Sequence, residues 1–413
     1  MKSLHYFACS LIAFGLPAFA QDNTDYESAI AASKQAIPVT AASQKAQSKS
    51  QGACEPLQGE PLTCYGPGYN AQAIYDVNYK QMRMRPSNVS FFSNLAFTYW
   101  YAGEEGLKLA TNGVSSANVF HYSTNMKELN QSFDYKPGFA VSLGFVGQHQ
   151  WSIQANYSWF RGTDHQSATL SGTGPTAGTA AAASGTNVWM VDDWFLQGTV
   201  SGQALSGQSI TSKWHLAMDL IDLLASRPFY EAPHLTITPT FGLRSALIRQ
   251  SMNVHLTELS SLFTNLPTQP IGSRNYSNSW SIGPLASLGA HCLLPMGFRI
   301  EGDMGASILY TRYTSIRHSE DSASTTFNAG PYVTKTTDYD CIRPSAELGI
   351  GLGWGRYLHN KDYHIDFSAD YDFMIFWSQN MIRKLLDDTL TGTSPGSADL
   401  YLHGLTITGR VDF

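Results

Sequence analysis

The chain has 413 residues, with 26 Lys and Arg against 32 Asp and Glu, for a formal charge of −6. Charged residues make up only 14%, against roughly 25% in soluble proteins, which excludes a surface facing water alone, and the acidic balance excludes nucleic acid as a partner. No run of about 18 apolar residues follows the first turns of the chain, so helical membrane spans are excluded too.

What remains is a chain rich in Gly (35), Tyr (21), Phe (21) and Trp (9), with a mean hydropathy of only −0.18. That combination is the signature of a transmembrane β-barrel, whose strands are apolar on one face only.

The N-terminus reads as an export signal over residues 1–20. Lys2 supplies the positive end, Tyr6 to Leu16 the apolar centre, and Ala18-Phe19-Ala20 a small-x-small site cut between Ala20 and Gln21. Maturation removes Cys9. Of the four remaining cysteines, Cys54 and Cys64 lie close together in an exported, Pro- and Gly-rich segment, and are expected to form a disulfide. Residues 21–85 form a low-complexity stretch, with an Ala/Ser/Gln/Lys tract from Asp25 to Ser50 that lacks an apolar face. We read them as a periplasmic extension, with a plug inside the barrel as the alternative.

Residues 86–413 change to a period of two. Leu95, Phe97, Tyr99 and Tyr101 open the series, although Phe92 and Trp100 interrupt the polar face. Phe139 to Phe145 and Trp151 to Trp159 follow. Trp214 to Ala225 begins by alternating and drifts towards a helical period at Leu220 to Leu224, and is taken as a strand. Leu235 to Leu247 sets Arg244 on the polar face, and Trp280 to Ala290 carries small polar residues there. Phe298 to Tyr310 alternates with Arg299, Glu301 and Asp303, and Ile342 to Trp354 with Arg343 and Glu347. Tyr363 to Trp377 places Asp366, Asp370 and Asp372 opposite seven apolar residues. Tyr401 to Phe413, with Arg410 and Asp412 inside, closes the series. Ten strands are predicted, or twelve if residues 107–124 or part of Asp164 to Ser212 also cross.

Connections alternate in length. Residues 147–150, 294–297 and 355–362 are short; Ser251 to Ser277, Thr314 to Asp340 and Gln379 to Asp399 are long and polar. Outer-membrane barrels have short periplasmic turns and long external loops, which sets the orientation. It puts Cys292 and Cys341 at opposite ends of strands, beyond the roughly 7 Å that a disulfide allows, so they are not expected to be joined to each other.

A chain ending on an aromatic at the close of an amphipathic strand looks like the signal read by the outer-membrane barrel assembly machinery. Several segments also resemble a known family, the Legionella-type major outer membrane proteins. They are Trp100 to Leu107 (WYAGEEGL), Lys136 to Phe139 (KPGF), Trp214-His215-Leu216 through Ile221-Asp222-Leu223, Pro239 to Arg244 (PTFGLR), Trp280 to Pro284 (WSIGP) and Gly404 to Phe413 (GLTITGRVDF). The resemblance runs in order over about residues 90–413. It implies a pore-forming protein of the outer membrane and carries no catalytic residue.

The polar faces predict a wettable lumen lined by Arg244, Arg299, Glu301, Asp303, Arg343, Glu347, Asp366, Asp370, Asp372 and Arg410, with Asp219 and Asp412 as further acids. Eight acids against four bases favour cations. The expected function is a porin, a passive pore for ions and small hydrophilic solutes. Its expected partners are outer-membrane lipid, the assembly machinery and, compatibly, a second copy in a homo-oligomer. The alternatives are a surface adhesin or a structural anchor whose small barrel is filled by side chains. No G-x-S-x-G, H-E-x-x-H or phosphate loop is present, so neither an enzyme nor a cofactor is expected. His364 shares the inner face with Asp366, and a contact between them is expected.

Overall fold

The structure is a computed structural model. It describes residues 89–115, 126–147, 150–170, 186–191, 194–195, 205–231, 235–259, 270–321, 332–358, 363–386 and 398–413. The expected export signal over residues 1–20, the expected periplasmic extension over 21–85 and the expected disulfide between Cys54 and Cys64 lie outside these.

In chain order the strands are β1 (Ser90–Glu104), β2 (Lys108–Ser115), β3 (Glu128–Asn130), β4 (Tyr135–Val146), β5 (Ser152–Thr169), β6 (Thr186–Val191), β7 (Leu205–Ser226) and β8 (Tyr230–Glu231). They continue as β9 (Leu235–Leu259), β10 (Ile271–Leu293), β11 (Phe298–Glu320), β12 (Tyr332–Thr336), β13 (Tyr339–Leu358), β14 (Tyr363–Asn380) and β15 (Ala398–Asp412). Ten of them form a closed antiparallel ring, β1-β4-β5-β7-β9-β10-β11-β13-β14-β15, which returns to β1. Closure leaves no unpaired edge inside the bilayer, where an unmet backbone group costs several kcal/mol. The seam is held at the very end of the chain, where Phe91 and Phe413 exchange backbone hydrogen bonds of 2.9 and 2.8 Å.

The extra strands do not make a twelve-stranded barrel. β2 and β6 have 8 and 6 residues, fewer than the 9–11 or so that a tilted crossing strand needs. They pair with each other, β3 joins β2, and β6 joins only the external end of β7 at Leu205 to Gly207. The result is a small side sheet at the external mouth. β8 and β12 are short pairings on β9 and β11.

Two connections predicted as long external loops, residues 251–277 and 314–340, are partly strand, because β9 runs to Leu259, β10 starts at Ile271 and β11 runs to Glu320. The reason is a reversal of amphipathic phase along the strand. On β9, Phe241 and Leu243 face out and are 63% and 52% exposed while Arg244 is buried in the lumen. A few residues on, Met252, Val254 and Leu256 point inward and are fully buried, and Arg249, Asn253 and His255 point out. Lipid demands apolar-out and water demands apolar-in, so the phase flips where the strand leaves the membrane. On β7 the same flip occurs beside Ile221. Leu220 turns inward while Ile221 and Leu223 face lipid, and this produces the apparent helical drift in the sequence.

The flip also corrects Asp219. It faces outward, not into the lumen, and is covered by Arg161, which it holds with two hydrogen bonds of 2.9 and 2.7 Å, and by the Tyr157 hydroxyl at 2.8 Å. Cys292 and Cys341 are in no disulfide.

Candidate functional site: the barrel lumen

Three layers occupy the lumen. The outermost is apolar. Trp214, Leu216 and Met218 from β7 and Ile248, Met252 and Val254 from β9 meet Trp189 and Val191 from β6, the following Trp194 and Phe195, and Ile382 and Leu386 beyond β14. The side sheet therefore folds into the mouth and closes it with a core like that of a soluble protein. Trp194 is anchored there, its Nε1 donating to the Lys108 carbonyl at 2.7 Å. The carboxylate of Glu104 is buried in this layer. Glu104 accepts hydrogen bonds of 2.7 Å from Trp214 Nε1 and from Gln250 Nε2, strands away around the ring. Arg343 belongs to this layer as well, with its guanidinium 5.9 Å from the Tyr313 ring centre and 3.8 Å from Met381 Sδ.

The middle layer is a polar chamber of about 420 Å³. Of the charged residues expected to line the lumen, Arg244, Asp303, Glu347, Asp366, Asp372 and Arg410 border it. Asp222, which the sequence placed only within a family-like motif, joins them because Arg244 holds it at 2.8 and 2.9 Å while also reaching Glu347 at 2.8 Å. Asp372 accepts from Thr406 Oγ1 at 2.5 Å, and Thr406 Oγ1 accepts from Trp100 Nε1 at 3.1 Å. Trp100, an apparent break in the polar face, thus lends its indole N–H to the lumen network. The wall formed by β1 and β5 is neutral. Asn94, Thr98 and Asn156 each present a buried side-chain oxygen that has no protein hydrogen-bond partner among the described residues.

The innermost layer, at the periplasmic end, is a cluster of paired charges. Arg299 is 1% exposed and lies between Glu301, at 2.7 Å, and Asp366, which it grips with both terminal nitrogens. Its guanidinium fits because residue 353 on the facing strand is glycine; a Cβ there would overlap it. His291 approaches Glu301 at 3.4 Å. The expected contact between His364 and Asp366 is not made: His364 Nδ1 lies 3.0 Å from Asp412, because β14 and β15 set these two directly opposite each other. Arg410 completes the cluster by donating to Asp412 at 2.5 and 2.8 Å and stacking 3.9 Å from the centre of the Phe92 ring. Phe92, the other break in the polar face, is therefore the seat of an arginine. Asp370 points inward and accepts from Ser368 Oγ at 2.8 Å. Among the described residues no group of three or more His, Cys, Asp or Glu is arranged to hold a metal ion.

Comparison with known proteins matches residues 86–413 to the family model described as Legionella pneumophila major outer membrane protein precursor. No curated protein matches the chain. Among solved structures it is similar to the outer membrane protease OmpT of Escherichia coli, at 10% identity over 81% of this chain and 99% of that one, with a TM-score of 0.36. A major outer membrane protein of Thermus thermophilus follows at 9% identity, 79% and 99% coverage and a TM-score of 0.25. The toluene transporter TodX of Pseudomonas putida gives 8% identity, 79% and 90% coverage and a TM-score of 0.23.

Proposed function

The chain belongs to the Legionella pneumophila major outer membrane protein family, and from that premise we propose that this outer-membrane barrel is a passive diffusion pore for ions and small hydrophilic solutes. The observation that carries the reading is the chamber, a space of about 420 Å³ bordered by charged, amide and hydroxyl side chains interspersed with apolar ones such as Leu220, Leu285 and Leu402. Fixed charges and hydrogen-bonding groups replace part of a solute's hydration there, which lowers the cost of crossing an apolar bilayer. Five acids, Asp222, Asp303, Glu347, Asp366 and Asp372, face two arginines, Arg244 and Arg410, so cations are favoured. Passage requires the apolar layer of the mouth to part, and the pore is accordingly expected to be narrow, with brief openings.

The test is single-channel recording from the folded mature chain in a planar bilayer. Ohmic steps that scale with salt, with a reversal potential on the cation side of zero, are expected. Verifiably folded protein that never conducts would overturn the reading. A second reading has its own support in the apolar core of the mouth: a filled barrel serving as an anchor for external segments. Silence in the bilayer would favour it.

A further inference from the structure

Seen from the lipid side, the wall differs between its two halves. Around β13 to β4 the outer rim is aromatic: Tyr101 and His403 stack at 5.0 Å, Tyr99 and Tyr135 at 5.5 Å, and Tyr371 bonds His403 at 2.6 Å. Around β5 to β12 it is cationic. We propose that this second half binds the phosphate groups of an outer-leaflet lipid, a reading that stands apart from the question of conductance.

The strand registers show where the bases sit. Trp280 and Tyr310, in edge contact at 5.8 Å, mark the external limit of the apolar band, as interfacial aromatics do. Arg312 stands directly opposite Trp280. About 6.6 Å further out, Arg161 and Arg249 flank Ala217 of β7 on its two sides. In the next row Tyr276, Arg317 and Lys335 lie side by side across three strands. Lys213 and Arg274 flank Asn253 in the row beyond.

Four carboxylates answer part of this charge. Asp219 holds Arg161 and lies 3.7 Å from Arg249, Asp338 and Asp340 hold Arg312, and Asp321 holds Arg274. Seven bases against four acids leave an excess in a chain whose net charge is −6.

Arg317 and Lys335 are both exposed and directly opposite each other on one face of the β11–β12 pair. Like charges so placed repel and destabilise the sheet, and an anion seated between them relieves that. These rows stand just outside the apolar band, at the level of the headgroups of the external leaflet. A phosphate at this depth meets bases on several strands at once, with guanidinium forks suited to its oxygens.

The test uses the full mature chain, folded in detergent and mixed with a diphosphorylated glucosamine-disaccharide lipid or with the same lipid after dephosphorylation. Bound lipid is counted by native mass spectrometry. The wild type should retain the phosphorylated form about tenfold more strongly, a difference of about 1.4 kcal/mol, and the Arg249→Gln, Arg317→Gln, Lys335→Gln triple variant should lose that preference. Equal retention of the two lipids by the wild type overturns the proposal without recourse to any variant. So does a triple variant, folded by circular dichroism, that binds like the wild type. Competition by inorganic phosphate as effective as the lipid itself also overturns it, because the site would then be one for free anions.

Discussion

Arg299 carries the periplasmic cluster, and its environment yields two predictions. Replacing it with Ala leaves Glu301 and Asp366 buried, each about 2% exposed, without their cation. Removing one partner of a buried pair costs about 3–5 kcal/mol, and a fall of that size in the unfolding free energy, followed by tryptophan fluorescence in denaturant, is expected. Gly353→Ala puts a methyl group where the guanidinium lies and should cost about 1–3 kcal/mol by overpacking. A Gly353→Ala protein as stable as the wild type would show that Arg299 does not occupy that space. Each charge was legible as an inward residue from its own strand. That Arg299 takes its partner from β14 and not from its neighbours on β10 was not, because 67 residues separate Arg299 from Asp366. Nor was Asp219 legible: its strand changes phase just there, and a polar residue on the outside of a membrane protein breaks the rule that the rest of the strand obeys.

At the scale of elements, the reversal of phase along β7 and β9 is the feature from which most else follows. It predicts a sharp depth dependence for charge insertion. Leu243→Arg, in the apolar band, should cost about 2–4 kcal/mol, whereas Ser251→Arg, on the same face but eight positions outward, should cost about 0–1 kcal/mol. Comparable losses at both positions, measured by unfolding in lipid vesicles, would place the membrane edge elsewhere. The inner consequence of the same reversal is the apolar core of the mouth. Truncating Trp194 and Trp214 to Ala, both fully buried, should loosen the side sheet and raise single-channel conductance several-fold. Conductance that stays at the wild-type level would mean that this core is not the barrier. The sequence hid the element because the residues that form it look like ordinary polar loop when read for an apolar outer face.

For the whole molecule, the decisive contact is the one that shuts the ring. Phe413 exchanges two backbone hydrogen bonds with Phe91, and their rings stack at 6.4 Å. Removing Phe413 takes away both bonds and the aromatic end of the last strand. The expected outcome is a loss of folded, heat-modifiable barrel in cells, with a smaller loss when the same chain refolds in detergent. Equal yields in cells would separate the terminal residue from recognition by the assembly machinery. The chamber lies at this scale too, since the residues that border it come from every quarter of the ring. Neutralising Asp303, Glu347 and Asp372 together, as Asn, Gln and Asn, should move the reversal potential towards zero. An unmoved potential would place the selectivity of the pore outside the chamber.

The amino-acid sequence by itself determined the class of fold and, Asp219 apart, the sign of the strand faces within the membrane, because a two-residue period is a property of the local backbone. It also determined which charged side chains point inward on β9, β11, β13, β14 and β15. The tertiary structure alone decided that the ring closes at ten strands, which charges pair across the lumen, that the mouth is filled, and that bases from six strands line one half of the rim. Those outcomes depend on register and shear around a closed sheet, where partners far apart in the chain become neighbours, and no local pattern records them.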